Sequence, residues 1–245
     1  MILNELKKEI RTRYISKSII IINILWVTIT IAQILVQFIP YFDVSLKINS
    51  TPIDLYIFTA SFTIITFSNQ TMFSLRITNE KFLGILECIV ISPVSIFRYS
   101  IARAIVCLIE NMWTFIIFFI TSICFFDIHI LNSFYYLLLS SVLSIIWGIF
   151  FNLLNIFIRD IRVLYLIIDE PSELLSGSIV PLSFLPTFAS IIGIFYPQTW
   201  LLLILRSSYN ISLLIEASLY VISFVFISYL FSRLGETFKQ NWSNY

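Results

Sequence analysis

The sequence predicts an all-α integral membrane protein with six transmembrane helices, and three observations carry that prediction. Hydrophobic residues fill 59% of the positions and charged residues only 12%. Soluble domains carry about 25% charged residues, so this chain cannot clothe itself in a water-compatible surface. Second, the sparse charges divide it into apolar runs near the ~20 residues that a membrane-crossing helix needs. Third, 13 of its 15 Lys and Arg residues fall before, between or after those runs on alternate connectors. An even number of crossings puts both termini on one side, and the excess of Lys and Arg marks that side as cytoplasmic. The whole chain, 1–245, is taken as one transmembrane domain in a cytoplasmic membrane.

The elements follow in order. In "NELKKEIRTRY" and the residue before it, Leu3, Leu6, Ile10 and Tyr14 recur at helical spacing while Lys7, Lys8 and Arg11 fall on other faces. That pattern predicts an amphipathic helix over 3–17 lying in the headgroup layer. The spans are expected at about 18–40, 55–75, 101–126, 131–158, 162–180 and 211–232. The first apolar run is too long for a signal-peptide core and has no small-residue cleavage site, so no cleavable leader is expected. Between the second and third spans, Asn79 is a plausible N-cap, and Phe82, Leu83, Leu86, Ile89 and Val90 keep helical spacing until Pro93 forbids continuation. A short cytoplasmic helix is expected at 79–91.

The fifth span is the irregular one. "DEPSELLSGSIVPLSFLP", 169–186, places three carboxylates, a glycine and three prolines inside an apolar stretch. Gly177, Pro181, Pro186, Gly193 and Pro197 break the run into pieces too short to cross a bilayer. Irregular backbone at membrane depth persists only where protein buries it or water reaches it. The breaks therefore predict a re-entrant hairpin over 181–205, on the side opposite the termini. Asp169, Glu170 and Glu173 either line a path or subunit interface, or pair structurally with Arg162, two turns before Asp169, and Arg159 further out, or snorkel toward the cytoplasmic surface. Pro171 is expected to kink the span and free backbone carbonyls. Asn23, Gln33, Gln37, Asn152 and Asn155 are polar interruptions of the kind that bond across helices. Glu110 and Glu216 sit near span ends.

Four stretches, in order, resemble the ABC-2 type transporter permeases, the membrane subunits of one class of ABC exporter. They are "GILECIVISPVS" at 84–95, "RDIR" at 159–162, "SGSIVPLSFLP" at 176–186 and "YPQTWLLLILR" at 196–206. Ile85 and Tyr196 depart from the family pattern, where threonine and asparagine are usual, and the "DEP" at 169–171 is more acidic than that pattern. The resemblance implies that the 79–91 helix and the 159–162 junction dock a separate ATPase. Glu80, Phe82, Leu83, Gly84, Leu86, Glu87, Pro93, Arg159, Asp160 and Arg162 would then carry the coupling. It also implies that Asp169, Glu170, Glu173, Gly177, Pro181, Pro186 and Pro197 form the pathway or its outer gate. The function implied is an ATP-driven exporter subunit for a drug, a peptide or bacteriocin, or a lipid-linked glycan, in a bacterial inner membrane. Two ATPase subunits and a second permease copy, as a homodimer, are the implied partners.

No cofactor on this chain is expected. None of the five glycines belongs to a G-x-x-x-x-G-K-[ST] loop, so ATP and Mg would sit on the partner ATPase. The lone His129 and the scattered Cys88, Cys107 and Cys124 build no metal or disulfide framework. A net charge of +1 gives no reason to expect nucleic acid. The reading is not an enzyme; an intramembrane hydrolase would need paired aspartates, an H-E-x-x-H or a Ser–His dyad. The rival is a proton- or ion-coupled secondary transporter using Asp169, Glu170 and Glu173, against which no inverted repeat is visible.

Overall fold

The computed structural model describes residues 47–48, 51–82, 95–126, 130–158, 163, 165–207 and 211–242, with helical backbone at 21, 24, 25, 28 and 29. The interfacial helix at 3–17, most of the first span, the chain from Leu83 to Val94 and the 159–162 junction lie outside the described residues.

The described chain is helical apart from one two-residue antiparallel pairing, β1 (Lys47–Ile48) with β2 (Thr51–Pro52). Four helices build the bundle's first part: α1 (Ile53–Phe82), α2 (Ile96–Glu110), α3 (Met112–Phe126) and α4 (Ile130–Phe157). A π-helix (Tyr165–Asp169) runs into α5 (Glu170–Leu175), followed by a 3₁₀ turn (Leu182–Phe184). The short helices α6 (Thr187–Ile194) and α7 (Pro197–Arg206) precede the long α8 (Ile211–Trp242).

Length and apolarity alone qualify two helices to cross a membrane, α4 and the Ser212–Thr237 part of α8. The count rises to four if the bent pairs α2–α3 and α6–α7 are each one span. Among the described residues these criteria thus find two to four crossings, and most of the first expected span lies outside them. The segment at 55–75 falls short because Thr59, Thr63, Thr66, Asn69, Gln70 and Thr71 dilute its apolar residues.

Two boundaries differ from expectation. No helix starts at Asn79: α1 runs unbroken from Ile53 to Phe82, about 45 Å at 1.5 Å per residue. Its sequence holds neither Gly nor Pro, and the polar Thr78–Lys81 stretch continues the helix as readily as it would cap a new one. The third span, expected as one helix over 101–126, begins at Ile96 behind the Ser95 cap and bends by 49° at Asn111. Asn111 ends α2 by turning its N–H back to Cys107 O at 3.0 Å while its amide donates to Cys107 Sγ at 3.2 Å.

Chain direction follows from which residues meet. Thr71 meets Trp147, and Ser74 meets Asn152, so α1 and α4 run parallel. Gln70 meets Ala104 and Asn69 meets Cys107, so α2 opposes α1. Tyr56 meets Gly177 and Thr71 meets Asp169, so the π-helix and α5 also oppose it. Phe224 packs on Trp147, and Gly235 approaches Phe157, so α8 runs with α4. Successive long segments therefore alternate in direction.

An aromatic core locks the centre. Trp147 is fully buried, with ring centroids 5.5 Å from Phe151, 5.9 Å from Tyr196 and 6.3 Å from Phe224. Phe150 and Phe224 approach to 4.8 Å. Away from this core, α8 is peripheral: 17% of its apolar window is buried against 61% for α4. Ile215, Leu219, Ile222, Phe226 and Leu234 form its exposed apolar face.

Gly193 marks the closest backbone approach, since a Cβ there would collide with the Leu175 carbonyl oxygen. At Gly148 the added Cβ meets mainly the flexible end of the Gln70 side chain, with the Ala104 Cβ at 3.2 Å. A buried overpacking against rigid backbone costs roughly 1–3 kcal/mol. Gly193→Ala is therefore expected to lower the thermal midpoint of the detergent-solubilised chain clearly more than Gly148→Ala. Equal midpoints for the two variants would contradict this packing.

Candidate functional site

The polar residues of α1 recur on one helical stripe: Tyr56, Thr59, Thr63, Thr66, Gln70 and Ser74, all buried. A polar stripe is tolerable inside an apolar bundle because hydroxyls can return to their own helix. Thr59 donates to Leu55 O at 3.0 Å, Thr63 to Thr59 O at 2.8 Å, and Ser74 reaches Gln70 O at 3.1 Å. The remaining capacity crosses to neighbouring helices. Ser74 Oγ donates to Asn152 Oδ1 at 2.6 Å, Asn152 Nδ2 to Ser100 O at 3.2 Å, and Asn155 Nδ2 to Ser74 O. Asn152 and Asn155 thus bond across helices as their type suggested, tying α1, α2 and α4 together.

Asp169 meets this core where the fifth segment passes α1. Its Oδ1 accepts from Thr71 Oγ1 at 2.7 Å, and Thr71 accepts in turn from Trp147 Nε1 at 3.2 Å. Indole N–H only donates, so the hydroxyl proton is free to go to the carboxyl group. The nearby charges are Glu170 and Glu173, and no ion pair joins Asp169 to a cation among the described residues. Pro171 explains the local backbone: it supplies no N–H for the turn before it, and the helix widens to π geometry over Tyr165–Asp169. Ser172 Oγ compensates by donating to Asp169 O at 2.6 Å.

The three acids do not act as one group. Asp169 is buried, Glu173 half-buried and Glu170 exposed between the exposed Ile167 and Leu174. Trp147, level with Asp169, lies ten residues, about 15 Å, before the end of α4. Glu170 therefore sits well inside the apolar length of the bundle.

Past α5 the expected breaks appear where Gly and Pro place them. Gly177 takes φ +84°, the left-handed conformation that ends a helix at little cost to glycine. Half-buried Pro181 leads into the 3₁₀ turn, exposed Pro186 precedes α6, and buried Pro197 is the first residue of α7. The α6 and α7 axes meet at 98°. Their turn inserts between α4 and α8, with Tyr196 on Trp147 and Phe195 5.6 Å from Phe224. The far end of α7 returns to the level of Tyr56.

Every carbonyl in that turn is satisfied. Gly193 O accepts from Thr199 Oγ1 at 2.5 Å and Tyr196 N at 3.0 Å. Ile194 O accepts from Trp200 Nε1 at 3.0 Å, Phe195 O from Tyr220 OH at 2.7 Å, and Tyr196 O from Thr199 N at 3.1 Å. Irregular backbone without water needs just such donors.

Where the hairpin ends, Arg206 reaches two other segments, the start of α1 and the Gly177–Ser178 turn. Nη1 donates to Gly177 O at 2.7 Å, Nη2 to Tyr56 O and Ser178 O at 3.4 Å each, and Nε to Thr59 Oγ1 at 3.3 Å. The guanidinium lies 3.5 Å from the Tyr56 ring centroid, and Tyr56 OH also donates to Gly177 O at 3.0 Å.

Of the residues expected to couple to an ATPase, Glu80 and Phe82 lie in the last turn of α1, with helical backbone. Leu83, Gly84, Leu86, Glu87, Pro93, Arg159, Asp160 and Arg162 lie outside the described residues. Glu110 ends α2 and is half-buried, while Glu216 is exposed on α8. The sequence reading missed the partners Thr71, Trp147, Tyr56 and Thr59, and the role of Arg206. Two signals were present: the 3–4 spacing of polar residues in α1, and Arg206 standing apart from the connectors where most Lys and Arg fall. No protein-family model matches the chain, and no curated protein matches it.

Removing the Thr71 hydroxyl leaves the Trp147 N–H buried without an acceptor, a loss of about 1–3 kcal/mol. Asp169→Asn keeps an acceptor oxygen for Thr71 and is expected to cost less. Thermal unfolding of Thr71→Val and Asp169→Asn in detergent checks the order; a more damaging Asp169→Asn would refute it.

Proposed function

We propose that the chain is the permease subunit of an ATP-driven exporter, working as a homodimer with two copies of a separate ATPase. The observation that carries this reading is the broken pair α6–α7, whose turn packs Tyr196 on Trp147 mid-bundle with all its carbonyls bonded while its end returns to the start of α1. Such a hairpin enters and leaves on one side, the arrangement expected of an outer gate rather than a crossing. With it counted as re-entrant, six crossings comprise the span at 18–40, α1, the α2–α3 pair, α4, the π-helix with α5, and α8. The alternating directions of the described segments agree with that order.

Exposed Glu170 adds support. A carboxylate on an apolar face at this depth faces water or protein rather than lipid. A face shared with a second copy, lining a path between them, meets that requirement. The membrane in this reading is a bacterial inner membrane with both termini cytoplasmic. ATP and Mg bind the partner ATPase, whose closure moves the 79–91 segment and the 159–162 junction. Cargo would be a drug, a peptide or bacteriocin, or a lipid-linked glycan.

A second reading, proton- or ion-coupled transport, draws on one observation: Asp169 is buried with the Thr71 hydroxyl as its partner and no cation paired to it among the described residues. The two readings separate on one measurement. Vesicles containing the chain and its ATPase should export only with ATP, and Asp169→Asn should retain at least roughly a tenth of the rate, a loss under about 1.4 kcal/mol. Transport driven by an ion gradient without any ATPase, and abolished by Asp169→Asn, would replace the exporter reading with the second.

A further inference from the structure

We propose that Arg206 is the latch of the α6–α7 hairpin, holding the end of α7 and the Gly177–Ser178 turn closed against the start of α1. The proposal rests on the gate reading for its purpose, but its geometry stands on its own. Two attachments hold the hairpin, and they differ in kind. Its turn is fixed by the donors of Thr199, Trp200 and Tyr220 and by the aromatic core around Trp147. That attachment adds aromatic packing on buried Trp147 and Tyr196 to its hydrogen bonds, so the turn is the pivot.

The foot is held otherwise. Four N–H contacts of Arg206 converge on Gly177 O, Ser178 O, Tyr56 O and Thr59 Oγ1, drawing two separate stretches of chain onto the end of α7. All these acceptors are neutral. A buried ion pair resists separation because opening strands two charges. A guanidinium on carbonyls and a hydroxyl can instead trade each partner for water as the foot swings out. The site lies where water arrives: Arg206 is half-buried, and α7 ends at Ser207 with an extended backbone. The fork of the guanidinium is essential, because an ammonium offers no planar set of donors that spans all four acceptors. Gly177, at φ +84°, puts a residue without a Cβ at the joint that the latch grips.

Ser178 is fully buried beneath the latch and hydrogen-bonds Ser176 at 2.7 Å, so a cysteine there reports opening. The experiment labels Ser178→Cys in the detergent-purified full chain with a membrane-impermeant maleimide, using the parent chain with its native cysteines as background. With Arg206 present, labelling should be slow. Arg206→Gln should accelerate it at least about tenfold, the factor expected when charge-assisted hydrogen bonds are lost. Arg206→Lys should fall between. Tyr56→Phe, which removes one hydroxyl donor from Gly177 O and keeps the ring, should accelerate it about two- to fivefold, and it decides the matter if Arg206→Gln does not fold. Fast labelling with Arg206 in place, or unchanged rates in folded Arg206→Gln or Tyr56→Phe chains, overturns the latch. No ATPase or cargo is involved, so failure here leaves the exporter reading to its own test.

Discussion

The bundle depends on how polar groups are satisfied where water does not reach, and α1 is where that constraint is most severe. Its stripe of threonines, a glutamine and serines would be costly in an apolar interior if the hydroxyls had no acceptors. Returning protons such as those of Thr59 and Thr63 to a carbonyl one turn back removes much of the cost, and the helix becomes a polar rod with an apolar remainder. The oxygens and amides that face neighbours then choose them. Ser74 selects Asn152, Thr71 selects Asp169 and Trp147, and Thr59 selects Arg206. Dispersion alone packs helices in lipid without strong preference for register, since lipid tails are as apolar as leucine. The hydrogen bonds of α1 supply that preference, and the aromatic core around Trp147 closes on the register they set.

The same logic explains the irregular stretch from Asp169 to Arg206. Proline removes donors and glycine removes steric limits, so each break frees carbonyls that lipid cannot bond. Here the partners come from side chains close in sequence or directly opposite. Ser172 serves the turn before Pro171, Thr199 and Trp200 serve the turn before Pro197, and Tyr220 reaches across from α8. A stretch that looks like a defect in a hydropathy profile thus has the carbonyls of its turn at 193–196 bonded from nearby side chains and backbone. Its stiffness is uneven: dense at the hairpin's turn, and dependent on one arginine at the hairpin's foot.

Much of the fold was legible because glycine, proline and charge act locally. The breaks at Gly177, Pro181, Pro186 and Pro197 were visible one by one, and so was the kink at Pro171. The cross-helix roles of Asn152 and Asn155 followed from residue type. The continuity of α1 past Asn79 was less legible, because a capping residue is a permission to start a helix and not a command to stop one. The bend at Asn111 also escaped, since an asparagine inside an apolar run carries no signal as strong as proline. Thr71 and Trp147 could not have been found as partners of Asp169, because their distance along the chain hides the contact. Asp169, Glu170 and Glu173 were legible as a group by spacing, but not their unequal exposure: adjacent helix positions point about 100° apart, so Glu170 is exposed while Asp169 faces Thr71.

Function follows from asymmetry along the bundle's length. At one end, Tyr56, Gly177 and Arg206 gather three chain segments around an exchangeable clamp. At the other, Ile96, Phe157 and Gly235 press together in apolar contact, next to the connectors where lysine and arginine concentrate. Between them, Asp169 is folded inward on a hydroxyl while Glu170 is left on an outer apolar face. Satisfying the inner acid from within the chain and leaving the outer one for something else is a division that lipid alone cannot accommodate. Burying Glu170 against a second copy or opening its face to water are the two arrangements that do, and a path formed between two copies provides both at once. A hairpin pivoting beside that path, anchored deep and released at its rim, would control access to it without disturbing the polar rod that holds the bundle in register.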